Sequence, residues 1–255
     1  MPTALITGGT SGIGAAFART LAAHGDDLVL VARNSDRLSE IATDLKEHCA
    51  ISVETITADL AVRDDVIGIA ERLTSAEQPI DMLINNAGFG VRAKLTDSDT
   101  TPHEHAIDVM IRAILILSAA AGRTMRQRGA GTIINVSSTA GFVTMGAYSA
   151  IKAWVTSYTE GLANELHGTG VKVTALCPGW VRTEFHERAE IHVGSIPEFM
   201  WLDADRVVAE CLDDAAAGKV ICIPSKRYAV MMTIADHLPH RLMRAVSRGL
   251  TSSRH

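Results

Sequence analysis

The sequence lacks the features of a secreted, metal-bound or nucleic-acid-binding protein. Its four cysteines show neither close pairing nor metal-ligand spacing, so we expect reduced, buried thiols in a cytoplasmic protein without a metal site. The formal net charge of −5 argues against a general nucleic-acid binder. A strand-like run follows Met1 almost at once, which leaves no room for a signal peptide. The four cysteines are Cys49, Cys177, Cys211 and Cys222.

Long apolar runs and internal divisions are missing as well. The longest apolar run, Ala113–Ala121, is far too short to span a bilayer, and Arg112 precedes it. No repeat, linker or low-complexity tract divides the chain, and 47% of its residues are hydrophobic, which is enough for a large core. We therefore predict one domain over residues 1–255.

Short apolar segments alternate with longer amphipathic ones along the chain. The segment Leu28–Ala32 is apolar on both faces, as a strand inside a parallel sheet should be. The alternation predicts an α/β fold of the Rossmann type, a doubly wound parallel sheet of about seven strands with helices on both faces. The predicted strands are Ala4–Thr7, Leu28–Ala32, Ser52–Thr57, Ile80–Ile84, Thr132–Ser137, Val171–Leu176 and Val220–Ile223. The predicted helices include Ile13–His24, Ser35–Glu47, Val62–Ser75, Pro102–Arg128 and a helix through Tyr148 that ends near His167.

Two titratable side chains, Tyr148 and Lys152, stand four residues apart. On a helix this spacing puts them on one face, one turn from each other. A phenol near a fixed ammonium ion ionises more easily, because the positive charge stabilises the phenolate. This predicts that Tyr148 is a proton donor and acceptor near neutral pH. Most such pairs are solvated helix faces, so the role of this pair depends on what the rest of the chain places around it.

A glycine-rich segment joins the first predicted strand to the first predicted helix. Glycines at such a junction let the backbone approach a pyrophosphate, and the helix N-terminus supplies partial positive charge. An ordinary glycine-rich turn is the alternative, but the position in an α/β chain favours dinucleotide binding. The segment reads Thr7-Gly8-Gly9-Thr10-Ser11-Gly12-Ile13-Gly14, with the spacing Gly-x-x-x-Gly-x-Gly.

The end of the second strand predicts which dinucleotide is bound. An acidic residue there would favour NAD through the ribose 2′-hydroxyl, but this sequence has Ala32 and Arg33. A guanidinium can hold a 2′-phosphate with two hydrogen bonds, so we predict NADP(H), with a solvated arginine as the alternative. Two further polar turns follow the third and fourth strands, where ligands bind in open α/β sheets. They are Asp59-Leu60 and Asn85-Asn86-Ala87-Gly88, and either alone could be an ordinary turn.

In this order, the motifs resemble the short-chain dehydrogenase/reductase family from the first strand to about Ile223. The shared pattern is Thr7-Gly8-x-x-x-Gly12-x-Gly14, Asp59, Asn86-Ala87-Gly88, Ser138, Tyr148-x-x-x-Lys152 and Pro178-Gly179-x-x-x-Thr183. A narrower resemblance, to an actinobacterial branch that includes reductases of 3-oxo lipids such as the mycolate precursor, rests on four segments. They are Gly141-Phe142, Tyr148-Ser149-Ala150, Phe185-His186 and Trp201-Leu202-Asp203-Ala204-Asp205.

The resemblance implies catalytic and binding roles. Tyr148 would protonate the carbonyl oxygen as hydride arrives, while Lys152 would bind the nicotinamide ribose and lower the pKa of Tyr148. Ser138 would donate a hydrogen bond to the same oxygen. The expected cofactor-binding residues are Thr7, Gly8, Thr10, Ser11, Gly12, Ile13, Gly14, Arg33, Asp59, Leu60, Asn86, Ala87, Gly88, Tyr148, Lys152, Pro178, Gly179, Val181 and Thr183.

Two residues and one segment raise questions about that pattern. Met110 stands where the family has an asparagine that is thought to hold a water molecule in the proton relay. Another water or a backbone group would have to take over the role of that asparagine. Ser137 is a rival for the catalytic serine, although alignment on Gly131 and Asn135 favours Ser138. In a strand the two side chains would point to opposite faces, so only one can serve. The segment Thr139–Ala147 is shorter than is usual and is expected to shape the substrate pocket.

The last quarter of the chain suggests two further elements. Residues 185–202 correspond to the family's substrate lid and are rich in apolar side chains, while His186 and His192 within them are expected at the surface. Residues 225–255 form a basic amphipathic extension that could touch an anionic membrane, the domain itself or a second subunit.

The sequence therefore predicts an NADPH-dependent reductase of a small-molecule ketone, with a 3-oxoacyl lipid as one candidate substrate. A nucleotide-binding sensor or scaffold that lost turnover is the alternative, and Met110 is the one feature that favours it. The resemblance also implies a homodimer or homotetramer, because the family pairs the helices around Ile111–Ala121 and Ala153–Ala163 between subunits.

Overall fold

A computed structural model describes residues 1–185, 196–237 and 241, and it contains one large parallel sheet. The strands are β1 (Thr3–Thr7), β2 (Asp27–Ala32), β3 (Val53–Thr57), β4 (Met82–Asn85), β5 (Gly131–Val136), β6 (Val171–Leu176), β7 (Trp180–Val181), β8 (Trp201–Leu202) and β9 (Ile221–Cys222). Seven of them form the sheet in the order β3-β2-β1-β4-β5-β6-β9, which confirms the predicted fold class. Strands β7 and β8 form a separate two-stranded parallel ribbon, which the sequence analysis did not predict.

The helices lie between the strands, as the alternating pattern predicted. They are α1 (Gly12–His24), α2 (Ser35–His48), α3 (Arg63–Leu73), α4 (Thr101–Ile107), α5 (Ala113–Arg128), α6 (Gly146–Glu165), α7 (Ala204–Ala216) and α8 (Lys226–His237). A π-helical turn, Asp108–Arg112, joins α4 to α5 without a break. The predicted helix Pro102–Arg128 is therefore one helical segment with a locally widened turn.

Two apolar clusters bury the two faces of the sheet. One packs the sheet against α1, α2 and α7, and the other packs it against α3, α5 and α6. Alternate residues of one strand enter different clusters, with Leu30 in the first and Val29 and Val31 in the second. Because both faces of β2 are covered, every position of that strand can be apolar.

The order of the strands places the candidate site. Strand β1 pairs with β2 on one side and with β4 on the other, so the direction of winding reverses between β1 and β4. Open α/β sheets bind their ligands outside the carboxyl ends of the strands at this kind of reversal. The glycine-rich segment follows β1, and Asn86-Ala87-Gly88 follows β4, so both lie at this position.

A buried polar network locks the layers together below the site. Asn85 donates from Nδ2 to Ser118 Oγ at 3.0 Å and to Asn135 Oδ1 at 2.9 Å. Asn135 donates from its own Nδ2 to Thr159 Oγ1 at 3.0 Å. Each of these four residues is at most 3% exposed, so the amide and hydroxyl groups satisfy one another inside the fold. The network joins β4 and β5 to α5 and α6.

Within the described residues, one helical segment has the length and composition of a membrane span. It is Thr101–Arg128, and 56% of its most apolar window is buried within the fold. The buried residues of α5, including Leu117 and Met125, belong to the cluster that covers one face of the sheet. This packing is typical of a core helix.

The cysteines are free, as the sequence predicted. Cys177, Cys211 and Cys222 are buried, whereas Cys49 is partly exposed at the end of α2, so the expectation of burial holds for three of the four.

Candidate active site

Three side chains of the predicted catalytic group meet at the carboxyl edge of the sheet. Tyr148 and Lys152 lie one turn apart on α6, and Lys152 Nζ is 5.6 Å from the centroid of the Tyr148 ring. Ser138 follows β5 directly, and its hydroxyl forms a hydrogen bond with Tyr148. Lys152 is only 3% exposed and donates from Nζ to the Val136 carbonyl oxygen at 2.8 Å. The geometry expected from a helical spacing of four is therefore present.

The structure distinguishes Ser138 from Ser137, the other candidate for the catalytic serine. The Ser137 hydroxyl points toward α6, where it lies 2.7 Å from the Lys152 carbonyl oxygen and 2.8 Å from Thr156 Oγ1. Ser138 points to the other side of the extended chain, and its Oγ accepts a hydrogen bond from Ala140 N at 3.1 Å. This alternation is the one expected at the end of a strand, and it leaves Ser138 beside Tyr148.

Burial controls the protonation of both titratable groups. It raises the pKa of Tyr148 to about 12, against the smaller opposite effect of the Ser138 hydrogen bond. The sequence-based expectation of a lowered phenol pKa is therefore wrong in this structure, because desolvation raises the pKa of Tyr148 by more than the Ser138 hydrogen bond lowers it. Burial also lowers the pKa of Lys152 to about 8, since an ammonium ion is less stable away from water. At neutral pH Tyr148 holds its proton and most of Lys152 is charged.

Glycine is required at two positions where the chain passes from β1 into α1. A Cβ atom on Gly14 would lie 2.2 Å from the Gly8 carbonyl oxygen, which leaves no room for a side chain. Gly8 has φ of +66°, a conformation that favours glycine. The loop thereby turns tightly and presents the N-terminus of α1, where the helix dipole favours a phosphate group. Its other predicted members, all partly exposed, are Thr10, Ser11, Gly12 and Ile13.

Thr7 and Asn86 hold this loop against the end of β4. Thr7 Oγ1 accepts hydrogen bonds from Asn86 N at 3.0 Å and Ala87 N at 3.2 Å. Asn86 Nδ2 donates in return to the carbonyl oxygens of Thr7 and Gly8, at 3.0 and 3.1 Å. The side chains of these two predicted cofactor residues are thus occupied in holding the loop in place.

The predicted adenosine end lies at the ends of β2 and β3. Arg33 is exposed directly after β2, and Asn34 caps α2 by accepting from Arg37 N at 2.9 Å. Asp59 shapes the turn after β3, where its Oδ1 accepts from Ala61 N at 2.9 Å, and Leu60 is buried in that turn. The side chain of Asp59 is used in this turn, whereas Arg33 extends toward solvent.

Arg37 is a residue that the sequence analysis missed. Its guanidinium pairs with the Glu184 carboxylate at 2.8 Å, and so connects α2 with the segment after β7. Glu184 is 147 residues away in the sequence, so no local pattern could have identified this contact.

The predicted nicotinamide end is built from the turn after β6. The Pro178 carbonyl oxygen accepts from Thr139 N at 3.0 Å, which ties the turn to the segment after Ser138. A Cβ atom on Gly12 would lie 3.3 Å from Thr183 Cβ, so the two ends of the predicted groove approach each other there. Val181 is buried in β7, and Gly179 packs on Tyr228, a residue that the sequence analysis assigned only to the basic extension.

Met110 lies beside Lys152, at the position where the resemblance places an asparagine. It is fully buried in the π-helical turn, and its Sδ is 3.2 Å from the point where a Cβ on Gly88 would be. Lys152 Nζ is 3.6 Å from the same point. The ammonium group of Lys152 has a backbone partner in the Val136 carbonyl oxygen, at 2.8 Å, and the substitution of water or backbone for the asparagine in the proton relay stays a prediction.

An aromatic side chain lies beside Tyr148 on the side proposed for the substrate. It belongs to Phe185, the first residue of the predicted lid, and the centroids of the two rings are 6.1 Å apart. His186 and His192 fall outside the described residues, as does the rest of the lid from 186 to 195. At its C-terminal end, the predicted lid segment includes Met200 and strand β8 of the two-stranded ribbon.

Comparisons with known proteins agree with this geometry. A family model described as short chain dehydrogenase matches residues 2–193. An uncharacterized oxidoreductase of Staphylococcus saprophyticus subsp. saprophyticus is 39% identical over 183 residues, which are 71% of this chain and 78% of the relative.

Two solved structures are similar over nearly the whole chain. A short-chain dehydrogenase from Sphingobium yanoikuyae in complex with NADPH has a TM-score of 0.85 and 34% identity, covering 99% of this chain and 95% of that one. A bulky-bulky ketone specific alcohol dehydrogenase from Comamonas testosteroni has a TM-score of 0.79 and 30% identity, covering 99% of this chain and 94% of that one. On these matches, the chain belongs to the short-chain dehydrogenase family of oxidoreductases.

Proposed function

We propose that this protein is a cytoplasmic, single-domain NADP(H)-dependent reductase that converts a bulky apolar ketone into a secondary alcohol. The observation that carries the proposal is the convergence of Ser138, Tyr148 and Lys152 beside the glycine-rich loop, at the reversal of the sheet. The cofactor supplies the hydride when it is bound. The protein's residues bind and orient the cofactor and supply the proton to the substrate oxygen.

The proton chemistry follows from burial and hydrogen bonding. Because burial raises the pKa of Tyr148 to about 12, the phenol keeps its proton until charge develops on the substrate oxygen. Ser138 lies within hydrogen-bonding reach of the same hydroxyl and is placed to donate to that oxygen. Lys152, charged at neutral pH, stabilises the phenolate that Tyr148 becomes, and it is placed to hold the nicotinamide ribose.

The choice of NADP(H) rests on Arg33. This guanidinium is exposed at the end of β2, next to the N-terminus of α2, and Ala32 leaves no carboxylate there to repel a 2′-phosphate. The similar enzyme from Sphingobium yanoikuyae, which carries NADPH in its structure, supports the same cofactor.

The substrate class is inferred from the apolar side of the site. Phe185 packs near the Tyr148 ring, and the similar Comamonas testosteroni enzyme is specific for bulky-bulky ketones. A 3-oxoacyl lipid, as in the actinobacterial branch that the sequence resembles, is one member of this class. The sensor or scaffold alternative is less well supported, because Ser138, Tyr148 and Lys152 are all present and in contact range.

An exposed apolar side chain on α5 supports a proposal about assembly. Leu115 is 45% exposed beside the partly buried Ile111 and Ile116, which suits pairing of α5 and α6 in a homodimer or homotetramer.

Exposed apolar side chains on α8 support a proposal about membrane contact. Val230 and Ile234 are 59% and 58% exposed, and Lys226 and Arg227 flank them, which suits contact with an anionic membrane.

The cofactor assignment predicts a selective effect of Arg33→Ala. A charge-assisted hydrogen bond contributes about 1.5–3 kcal/mol, so NADPH should bind about tenfold or more weakly while NADH binding hardly changes. Fluorescence titration of both cofactors measures this. Arg126→Ala, at the far end of α5, is the control and should alter neither affinity. Equal losses for NADPH and NADH would exclude a 2′-phosphate contact.

The catalytic assignment predicts that Tyr148→Phe loses turnover but still binds NADPH. General acid catalysis typically contributes about 10²–10⁴-fold, so kcat should fall by at least that lower amount. Lys152→Ala should weaken both turnover and cofactor binding. Tyr158→Phe removes a phenol hydroxyl from the same helix, outside the site, and serves as the control. A Tyr148→Phe enzyme with most of its kcat would require another proton donor.

The assembly proposal predicts that Leu115→Glu produces monomers. A charge placed in an apolar interface is destabilising because it loses its hydration, whereas the same charge on a free surface is tolerated. Light scattering at micromolar concentration measures the mass. Ile67→Glu, on the exposed side of α3, should leave the oligomer intact. A wild-type protein that is monomeric in this experiment would contradict the proposal.

The lipid proposal predicts binding to anionic vesicles that weakens with salt. Each lysine or arginine near such a surface contributes roughly 1 kcal/mol, and this contribution is screened by ions. Flotation with phosphatidylserine vesicles should recover the wild-type protein and less of an Ile234→Glu variant, with Ile67→Glu as the control. If the wild-type protein does not bind such vesicles and reduces short ketones faster than long-chain ones, the lipid proposal is wrong and only the reductase proposal stands.

A further inference from the structure

We propose that Arg37 neutralises the charge of Glu184, so that the entry to the site of the dinucleotide phosphates carries no net negative charge. Arg37 is then a positioning residue that acts on cofactor binding through Glu184. The inference rests on the proposed binding of NADP(H) at the glycine-rich loop. It gives Arg37 a role different from that of Arg33, the proposed contact of the 2′-phosphate.

Glu184 lies near the N-terminus of α1, where the cofactor's pyrophosphate is expected. A Cβ atom on Gly12, the first residue of α1, would lie 3.3 Å from Thr183 Cβ, and Glu184 is the next residue after Thr183. The backbone turns tightly at this point, because Phe185 N donates to Thr183 Oγ1 at 3.3 Å. Since consecutive Cα atoms are about 3.8 Å apart, the Glu184 carboxylate lies within roughly 10 Å of that helix terminus. Charges at this separation interact at moderate salt.

Arg37 reaches this carboxylate from the first turn of α2. Its backbone N–H donates to the Asn34 side chain at 2.9 Å, and the next residue, Leu38, is buried, so the position of Arg37 on the domain is fixed. Its guanidinium Nη2 lies 2.8 Å from Glu184 Oε1. A cation in the first turn of a helix is unfavourable with the helix dipole. The stability of α2 therefore does not account for a positive charge at this position.

The ion pair is too exposed to act mainly as a structural brace. The side chains of Arg37 and Glu184 are 39% and 44% exposed. Ion pairs with this exposure contribute little to folding stability, because water screens the two charges. Their effect on an approaching anion is larger. The Glu184 carboxylate by itself repels each phosphate group, whereas the carboxylate together with its guanidinium carries no net charge.

The test is a double-mutant cycle with Arg37→Ala and Glu184→Gln, measured as the Kd of NADPH and of NADH by fluorescence titration. Both dinucleotides carry the pyrophosphate, so Arg37→Ala should weaken both about threefold to tenfold at low ionic strength. The loss should shrink at 0.15 M salt, because ions screen the repulsion. Glu184→Gln should bind both cofactors at least as tightly as the wild type. The double variant should come within about twofold of Glu184→Gln, because the repelling charge is gone.

Lys219→Ala is the matched control. It also removes one positive charge from an ion pair, since Lys219 Nζ lies 2.6 Å from Asp214 Oδ1. Lys219 precedes β9, which runs parallel to β6, so it lies at the edge of the sheet opposite the site. This variant should leave both affinities unchanged. If Arg37→Ala fails to fold, Arg37→Gln removes the same charge, keeps most of the side chain and should give the same result in the cycle.

Four results would overturn the inference. Equal losses of affinity in Arg37→Ala and Glu184→Gln would show that the pair is only a structural brace. A double variant as weak as Arg37→Ala would show that the guanidinium contacts a phosphate directly and does not act through Glu184. A loss confined to NADPH would assign Arg37 to the 2′-phosphate. Unchanged affinities in all three variants would show that the pair has no effect on the cofactor.

The cycle measures binding alone, which keeps the inference separable from the proposed function. If the wild-type protein binds NADPH but reduces no ketone, the reductase proposal fails, while recovery in the double variant still supports the role of Arg37. If the wild-type protein reduces ketones but the double variant does not recover, the inference fails and the reductase proposal stands.

Discussion

The site depends on the hydrogen bonds that fasten the end of β1 to the end of β4. Thr7 Oγ1 receives the Asn86 and Ala87 amides, and Asn86 returns two bonds to the backbone of Thr7 and Gly8. These bonds place the glycine-rich loop directly beside Asn86 and Ala87. The next residue, Gly88, lies against Met110 and Lys152, so the segment after β4 connects the glycine-rich loop with α6. A shift at Asn86 would therefore move the loop relative to the catalytic side chains.

Burial sets the protonation state of the two titratable groups in the proposed chemistry. Removal of water raises the pKa of Tyr148 and lowers that of Lys152, so at neutral pH a protonated phenol stands beside a largely charged ammonium group. In that state Tyr148 can give a proton to a developing alkoxide, which is the reductive direction. Met110 adds to the apolar surroundings of Lys152, and the Val136 carbonyl supplies the hydrogen bond that keeps the ammonium in place.

The sequence predicted the fold because strands buried on both faces, such as Leu28–Ala32, carry a local signal. It also predicted that Tyr148 and Lys152 lie together, since they are four residues apart on one helix, whereas their proposed catalytic roles rest on the resemblance of the motifs to a family. Contacts between distant residues have no such signal, which is why Arg37 with Glu184 and Tyr228 with Trp180 were missed. The pKa of Tyr148 was predicted in the wrong direction for a related reason. A sequence shows that an ammonium group lies nearby but does not show how far the phenol is removed from water.

The most direct test of the central claim follows the hydride itself. Wild-type protein would be supplied with NADPH deuterated at the transferable position and a bulky ketone, and the alcohol product would be analysed by mass spectrometry. The account predicts one deuterium on the carbinol carbon and one NADPH oxidised for each alcohol formed. NADPH that binds but is not oxidised in the presence of any such ketone, or product without deuterium at that carbon, would contradict the account.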